Sequence, residues 1–272
     1  MGKFDGILLA TDLDGTLFDA CKKISKKNID AIKYYISEGG YFTLATGRSQ
    51  LGIKSVLGHI TPNAPIIIFN GAAIYDTEKD EMIEELFLDS DAVRVVDMVE
   101  RDFPDFGIAV SASDTAYASR MTDLIRNHFV SENIPEKILH HRQVTNPWRK
   151  AIFTQEPERI DELKSAISKS EFYDRYDFSK SASTQYELLP KGVTKGLGLK
   201  MLAEFLNVDI SKTIAVGDNE NDIEMIRAAK IGVAVENATV ELKKVADYIT
   251  VDNNSDALFA VIDDLDKKRI KI

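Results

Sequence analysis

Residues 7–16, Ile7-Leu8-Leu9-Ala10-Thr11-Asp12-Leu13-Asp14-Gly15-Thr16, constrain the fold more than any other stretch: an apolar run ends abruptly in two carboxylates one residue apart, a glycine and a threonine. A continuous apolar run of about five residues closed by a turn signal fits a strand covered on both faces, as parallel sheets contain. In an open α/β sheet the crevice beyond the carboxyl ends of such strands is where ligands bind. Two like charges this close repel unless a cation or hydrogen-bond donors compensate them, and a divalent metal is the simplest partner.

The same rhythm recurs on both sides of a long interruption. Ser25 is placed to cap a helix in which Ile29, Ile32, Tyr35 and Ile36 recur at helical spacing and which Gly39-Gly40 stops. Residues 41–45 read as a second strand, Thr46-Gly47-Arg48 as the loop at its end, and Ser49 as the cap of the next helix. Ile66-Ile67-Ile68-Phe69 reads as a third strand ending at Asn70-Gly71. Far downstream, a helix over 194–206 leads into the strand Thr213-Ile214-Ala215-Val216, which runs into Gly217-Asp218-Asn219-Glu220-Asn221-Asp222. Strands over 231–235 and 248–251 and helices near 220–229, 239–245 and 255–267 complete this half. Strands alternating with helices predict an α/β, Rossmann-like core: a parallel sheet with right-handed crossovers and helices on both faces.

From about residue 80 the pattern changes to α+β. A helix near 92–101, closely spaced short strands near 106–118, a helix near 121–132, strands over 150–155 and 184–189 and a helix between them predict an inserted domain over 83–188. Residues 1–82 and 189–272 then form one discontinuous core. At 272 residues and 30.4 kDa, 44% hydrophobic, the chain exceeds the usual single-domain size.

The formal charge of -10 and pI near 5.0 argue against a nucleic-acid partner, which calls for a basic face or stripe. A single cysteine excludes an intrachain disulfide framework and suits a reducing cytosol. No apolar run approaches about 18 residues, so no membrane partner is expected. Residues 1–20 lack the basic region, long apolar region and small-residue cleavage site of a signal peptide. The expected location is cytoplasmic. Cys21 reads as a small buried hydrophobe, and His140-His141 as loop or surface.

A parallel sheet brings four strand ends to one edge: Asp12 to Thr16, Thr46 to Arg48, Asn70-Gly71, and Gly217 to Asp222. Oxygens from Asp12, Asp14 and Asp218 make a hard-cation site, and Mg²⁺ prefers few carboxylates while keeping waters and a substrate phosphate. An aspartate can attack phosphorus to form an aspartyl-phosphate, which splits one hard displacement into two easier ones. A second acid can protonate the leaving oxygen and later deprotonate water.

These motifs resemble those of the haloacid dehalogenase superfamily, and the Thr-Gly-Arg, Phe-Asn-Gly-Ala and Gly-Asp-Asn-Glu-Asn-Asp sequences resemble its Cof-type, type IIB branch over the whole chain. The resemblance implies a magnesium-dependent phosphatase for a small phosphorylated metabolite, often a sugar phosphate. By position it implies that Asp12 is nucleophile and metal ligand, and Asp14 the general acid/base whose backbone carbonyl binds magnesium. Asp218 is the remaining metal ligand. Leu13 lends a backbone N–H, Thr46 a hydroxyl and Gly47 an N–H to the phosphate, with Asn221 a further contact. Lys195 neutralises phosphate charge, with Lys191 a nearby rival. Asp222 is a supporting acid, Asn70 shapes or supports the site, and Arg48 contacts substrate or bridges to the inserted domain, which is read as a cap that sets specificity.

Other functions fit less well. An EF-hand starting at Asp12 would need Gly and Glu where Leu17 and Lys23 stand. No Gly-x-x-x-x-Gly-Lys-Ser/Thr loop marks a nucleotide-binding kinase. A phosphomutase or phosphotransferase using the same intermediate, and a phosphosugar-binding regulatory protein, remain as alternatives.

Overall fold

Leu8–Thr11 forms the first strand, β1, because all four residues are apolar or β-branched and all are buried between neighbouring strands. The computed structural model describes residues 2–58, 60–112, 115–145, 147–269 and 272. In chain order the next elements are α1 (Lys26–Ser37), β2 (Tyr41–Leu44), α2 (Gln50–Lys54), β3 (Ile66–Ile68), β4 (Ala73–Asp76) and β5 (Glu81–Glu85). Then come α3 (Ala92–Asp102), β6 (Gly107–Ala112), β7 (Thr115–Arg120), α4 (Asp123–Ser131), β8 (Trp148–Thr154), α5 (Pro157–Ile167), β9 (Asp177–Ala182) and β10 (Gln185–Leu189). The chain closes with α6 (Lys195–Phe205), β11 (Thr213–Gly217), α7 (Ile223–Ala228), β12 (Ile231–Ala234), α8 (Val240–Lys243), β13 (Tyr248–Ile249) and α9 (Ala257–Asp266).

The chain divides into two compact units. The first comprises residues 1–47, 57–84 and 194–272; the second comprises 48–56 and 85–193. In the first, a five-stranded parallel sheet runs in the order β13-β12-β11-β1-β2. The chain moves outward from β1 to β2 in one direction and from β11 through β12 to β13 in the other. Right-handed crossovers in opposite directions place their helices on opposite faces. Accordingly α1 packs with α9 and α6 with α7, as two separate pairs. The strand order reverses at β1, and the crevice at such a switch point is where a doubly wound sheet binds ligands. Ser25 Oγ caps α1 by accepting from Asn28 N at 3.1 Å, and the chain leaves that helix through Gly39, whose φ of +90° suits a residue without Cβ.

The third strand departs from expectation. β3 does not continue the parallel sheet as a regular strand; it heads a separate three-stranded sheet, β3-β4-β5, and meets the parallel sheet through one bridge, Ala45 to Ile67. Phe69, Asn70 and Gly71 all have positive φ, which reverses the chain so that Ala73 pairs antiparallel with Ile68. Asn-Gly is the dipeptide that tolerates such a reversal, and here it opens a hairpin.

In the second unit an antiparallel sheet, β7-β6-β8-β10-β9, carries apolar side chains on both faces. Ile108, Val110, Ala151, Phe153 and Leu188 pack with the apolar stripes of α3 and α5, while Ala109, Ala116 and Ala118 pack with Ile125 and Phe129 of α4. The alternation follows the period of two along a strand. β9, unmarked in the sequence, is a half-buried edge strand in which serines and a lysine break the apolar alternation.

Two single-residue expectations are corrected. Cys21 is exposed, because it lies in a loop whose backbone N–H groups at Cys21 and Lys23 are gathered by the Asp19 carboxylate, which holds the turn off the core. His141 is fully buried, because Asp97 and Ser119 take its two ring nitrogens at 2.9 and 2.8 Å and satisfy it there. Among the described residues no helix is long and apolar enough to cross a membrane.

Candidate active site

Register brings the acidic strand ends together. Thr11 pairs with Val216 on one side and Leu44 on the other, so Asp12, Gly217-Asp218 and Ala45-Thr46 leave the sheet at one level. Asp12 N donates to Val216 O at 2.9 Å and Ala45 N to Thr11 O at 2.9 Å, carrying the ladder to the end of the strands. After Asp12 the chain turns sharply through Gly15, whose φ is +89°. A Cβ on Gly15 would lie 2.5 Å from Asp218 Oδ2, so only glycine lets the two acidic loops approach this closely.

Asp12, Asp218 and Asp222 each present a carboxylate oxygen within 4.8 Å of the other two. Lys195 bridges two of them, with its Nζ 2.5 Å from Asp12 Oδ1 and 2.6 Å from Asp222 Oδ1, and its side chain is fully buried. Its place is fixed locally: Thr194 caps α6 by accepting from Leu197 N at 3.1 Å, and Lys195 is the first helical residue. The turn at Gly71 packs against this start so closely that a Cβ on Gly71 would fall 2.1 Å from Thr194 O. The remaining oxygen of Asp222 accepts from the backbone N–H groups of Asp218 and Asn219 at 3.0 and 3.1 Å, which clamps the second acidic loop. Thr16 Oγ1 donates to Asp218 Oδ1 at 2.8 Å.

Three carboxylates against one ammonium leave an excess of negative charge out of water. Burial, with Asp222 and Asp218 adding to it, pushes Asp12 well above its ordinary value despite Lys195. Burial and then Asp222 push Asp218 up to about 6. Burial works against the Lys195 charge, yet Asp12 and Asp222 outweigh it and hold the ammonium protonated well above its usual range. The donor set is hard oxygen, as Mg²⁺ prefers, and a divalent cation would remove the charge excess. The residues therefore fit a divalent metal.

The other sequence-singled residues take up varied positions. Thr46 is buried, with its N–H donating to Ile67 O at 2.9 Å and its O accepting from Asn70 N at 3.0 Å. Asn70 lies beside Gly47, where a Cβ would sit 3.1 Å from its amide, and its Oδ1 accepts from Asn221 Nδ2 at 3.0 Å. Leu13 is fully buried. Asp14 pairs with the largely exposed Lys22 at 2.5 Å. Lys191 pairs with Asp177 at 3.3 Å, whereas Lys195 joins Asp12. Arg48 belongs to the second unit, and its Nη1 donates to Ser131 O at 3.3 Å.

Sequence reasoning gave Asp222 only a supporting part and overlooked Thr16, Lys22 and Asn237, whose Nδ2 donates to Gly15 O at 2.8 Å. Thr16 carried a signal, as the polar residue closing the Asp-Leu-Asp-Gly-Thr run. Lys22 and Asn237 carried none. A second group in the other unit, Glu100, His140 and His141, also collects potential ligands. The two rings stack at 4.3 Å and 28°, so their in-plane lone pairs run side by side instead of converging on one ion.

The chain matches the family described as haloacid dehalogenase-like hydrolase over residues 9–262. It is 32% identical over 255 residues to the protein M6_Spy0533 of Streptococcus pyogenes serotype M6, covering 91% of this chain and 93% of that one. To the 5-amino-6-(5-phospho-D-ribitylamino)uracil phosphatase YcsE of Bacillus subtilis it is 28% identical over 257 residues, covering 94% of each. Its fold superimposes on that of BT4131, a subclass IIB sugar phosphatase, with a TM-score of 0.80 at 19% identity, covering 94% of this chain and 98% of the other.

Proposed function

The chain belongs to the haloacid dehalogenase-like hydrolases and is a phosphatase, and from that premise we propose magnesium-dependent hydrolysis of a small sugar phosphate through an aspartyl-phosphate on Asp12. The observation that carries the proposal is the buried cluster of Asp12, Asp218 and Asp222 with Lys195 set between two of them. The names of YcsE, a 5-amino-6-(5-phospho-D-ribitylamino)uracil phosphatase, and of BT4131, a sugar phosphatase, support this class of substrate.

Asp12, Asp218 and Asp222 are the side chains that would hold the divalent ion, with the Asp14 carbonyl as a main-chain candidate. When bound, Mg²⁺ supplies positive charge against the phosphate oxygens. Phosphoryl transfer asks little else of a protein than an in-line nucleophile and donors for the equatorial oxygens. Lys195, the Thr46 hydroxyl and the N–H groups of Leu13 and Gly47 are those donors, with Asn221 and Arg48 as further contacts and Asn70 holding Asn221. Asp12 attacks phosphorus, the bond to the leaving oxygen breaks, and Asp14 gives that oxygen its proton. Asp14, now a carboxylate, takes a proton from water as the water attacks the phosphorus of the aspartyl-phosphate. The bond to Asp12 breaks and inorganic phosphate leaves. The half-exposure of Asp14 supports this part, since the group must exchange protons with an alcohol and then with water.

The second unit, built mainly of residues 85–193, takes the part of a cap that excludes bulk water and contacts the leaving group. The test is phosphate release from p-nitrophenyl phosphate with and without Mg²⁺, in wild type and Asp12→Asn. Magnesium-dependent release that disappears in the variant is expected; equal release by Asp12→Asn overturns the nucleophile.

A further inference from the structure

The strand order β13-β12-β11-β1-β2 sets β11 between β1 and β12, so a side chain from the loop after β12 meets the loop after β1 only by reaching past the loop after β11. Asn237 makes that reach. Its Nδ2 donates to Gly15 O at 2.8 Å, and its Oδ1 accepts from Asn253 N, in the loop after β13, at 2.9 Å. These two partners fix which way the amide points, since a flipped amide would set oxygen against oxygen and N–H against N–H. Asn253 Nδ2 in turn donates to Phe18 O at 2.8 Å, so the stretch from Gly15 to Phe18 is tied at both ends. Two residues beyond Asn237, Thr239 N donates to Asp218 O at 2.8 Å. One short loop thus holds the first acidic loop through Asn237 and the second through Thr239, and every residue involved belongs to the first unit.

Neither helix capping nor core packing accounts for Asn237. Thr239 caps α8, its Oγ1 accepting from Leu242 N at 3.3 Å, and Asn237 is exposed. What it holds is a residue of unusual freedom: Gly15 has a φ of +89°, and glycine loses more backbone entropy on being fixed than any other residue. On one side of Gly15 stands Asp14, whose carbonyl is the main-chain candidate for the ion. On the other stands Thr16, whose hydroxyl donates to Asp218 Oδ1 at 2.8 Å. Asp218 Oδ2 lies only 2.5 Å from where a Gly15 Cβ would be.

We infer that Asn237 is a positioning residue for the divalent ion: by tying the Gly15 carbonyl to the loop that also holds Asp218, it keeps the first acidic loop closed on the second, so that the Asp14 carbonyl and the Asp218 carboxylate stay within reach of one ion. It rests on the metal reading proposed above, and it adds a residue that touches neither metal nor substrate.

The test titrates the full chain with Mg²⁺ by calorimetry, without substrate, in wild type, Asn237→Ala, Asn254→Ala and Asp218→Asn, with metal-free thermal midpoints and the Mg²⁺ dependence of p-nitrophenyl phosphate hydrolysis recorded alongside. Asn237→Ala is expected to raise the Mg²⁺ dissociation constant by about 10- to 100-fold, as loss of a group that orients a metal ligand does. The Mg²⁺ concentration for half-maximal hydrolysis will rise with it, and the rate at saturating Mg²⁺ will change less. Asn254 holds the same chain segment farther from the metal-holding groups, its Oδ1 accepting from Ala20 N at 3.0 Å, and Asn254→Ala is expected to bind Mg²⁺ as wild type does. Equal losses in Asn237→Ala and Asn254→Ala would make Asn237 one tether of the segment among several and overturn the inference, as would a lowered midpoint with unchanged Mg²⁺ binding. If Asp218→Asn weakens Mg²⁺ binding and Asn237→Ala does not, the inference alone fails; if Asp218→Asn has no effect, the metal reading fails and takes the inference with it. Should Asn237→Ala not fold, Asn237→Gln, which keeps the amide but sets it one methylene farther out, decides by the same criterion.

Discussion

Lys195 and Asp12 stand 183 residues apart in sequence and meet in a 2.5 Å ion pair, with the ammonium fully buried. The same nitrogen reaches Asp222 at 2.6 Å. One cation thus holds the end of β1 against the loop after β11, and the site and the core depend on the same contact.

Replacing Lys195 with methionine therefore strips two buried carboxylates of their counter-charge. Breaking a buried pair from one side costs about 3–5 kcal/mol. The denaturant midpoint of Lys195→Met will fall accordingly, and added Mg²⁺ will recover part of the loss, because a ligand that binds only the folded state stabilises it by mass action. An unchanged midpoint would mean that the carboxylates find compensation elsewhere.

Gly15→Ala tests the approach of the two acidic loops without touching a carboxylate. The new Cβ would fall 2.5 Å from Asp218 Oδ2, at a residue whose φ is +89°. Asp218 must move, and displacement of groups that orient a metal ligand costs about 10- to 100-fold in metal affinity. A Mg²⁺ titration of activity will show the midpoint displaced to higher concentration with the rate at saturation less affected. A midpoint equal to that of wild type would remove Asp218 from the metal-holding set.

Asp14→Asn separates the acid from the nucleophile. Without a proton donor the loss depends on how badly the leaving oxygen needs one. Alkyl phosphates will lose about 10²- to 10⁴-fold in kcat/KM, the usual worth of general acid–base assistance, and nitrophenyl phosphate much less. Equal losses for both esters would count against Asp14 as the acid.

What the sequence displayed and what it hid follow from the range of the interactions. β1 and β11 were legible because each is an unbroken apolar run ending in acid, and a strand buried on both sides leaves no alternative reading. Ser25 and Ser49 were legible as caps because capping acts within three residues. β3 was misplaced in the parallel sheet because its apolar run looks the same in either sheet; the positive φ at Phe69 decides, and nothing about phenylalanine announces it. The edge strand β9 was hidden because serines and a lysine on a half-buried strand look like loop. In the site, Asp12, Asp14 and Asp218 could be singled out from one dimension, since each closes a strand. The placing of Asp222 within the cluster, the Lys22 partner of Asp14 and the grip of Asn237 on Gly15 join residues far apart in sequence, or turn side chains in directions the pattern does not encode.

His128 and Glu132 set the acid limit of the second unit. Burial lowers the His128 pKa below its ordinary 6.5, and the pull of Glu132 in the other direction does not restore it. Burial pushes Glu132 up, but His128, Lys150 and the two Ser49 donors together bring it below 4.5. Both folded values are thus lower than the unfolded ones. An unfolded chain then binds more protons than the folded chain as acid is added, and stability falls with falling pH. The His128 contribution is whole above about pH 6.5 and is lost as pH drops through the folded value; that of Glu132 begins to be lost only near pH 4.5. Urea midpoints measured from pH 7.5 to 5 will therefore decline, and His128→Gln will flatten the decline over that range while leaving the steeper loss at lower pH. If the slope between pH 6.5 and 5 is the same in both proteins, His128 takes up protons alike in the folded and the unfolded chain, and burial does not lower its value.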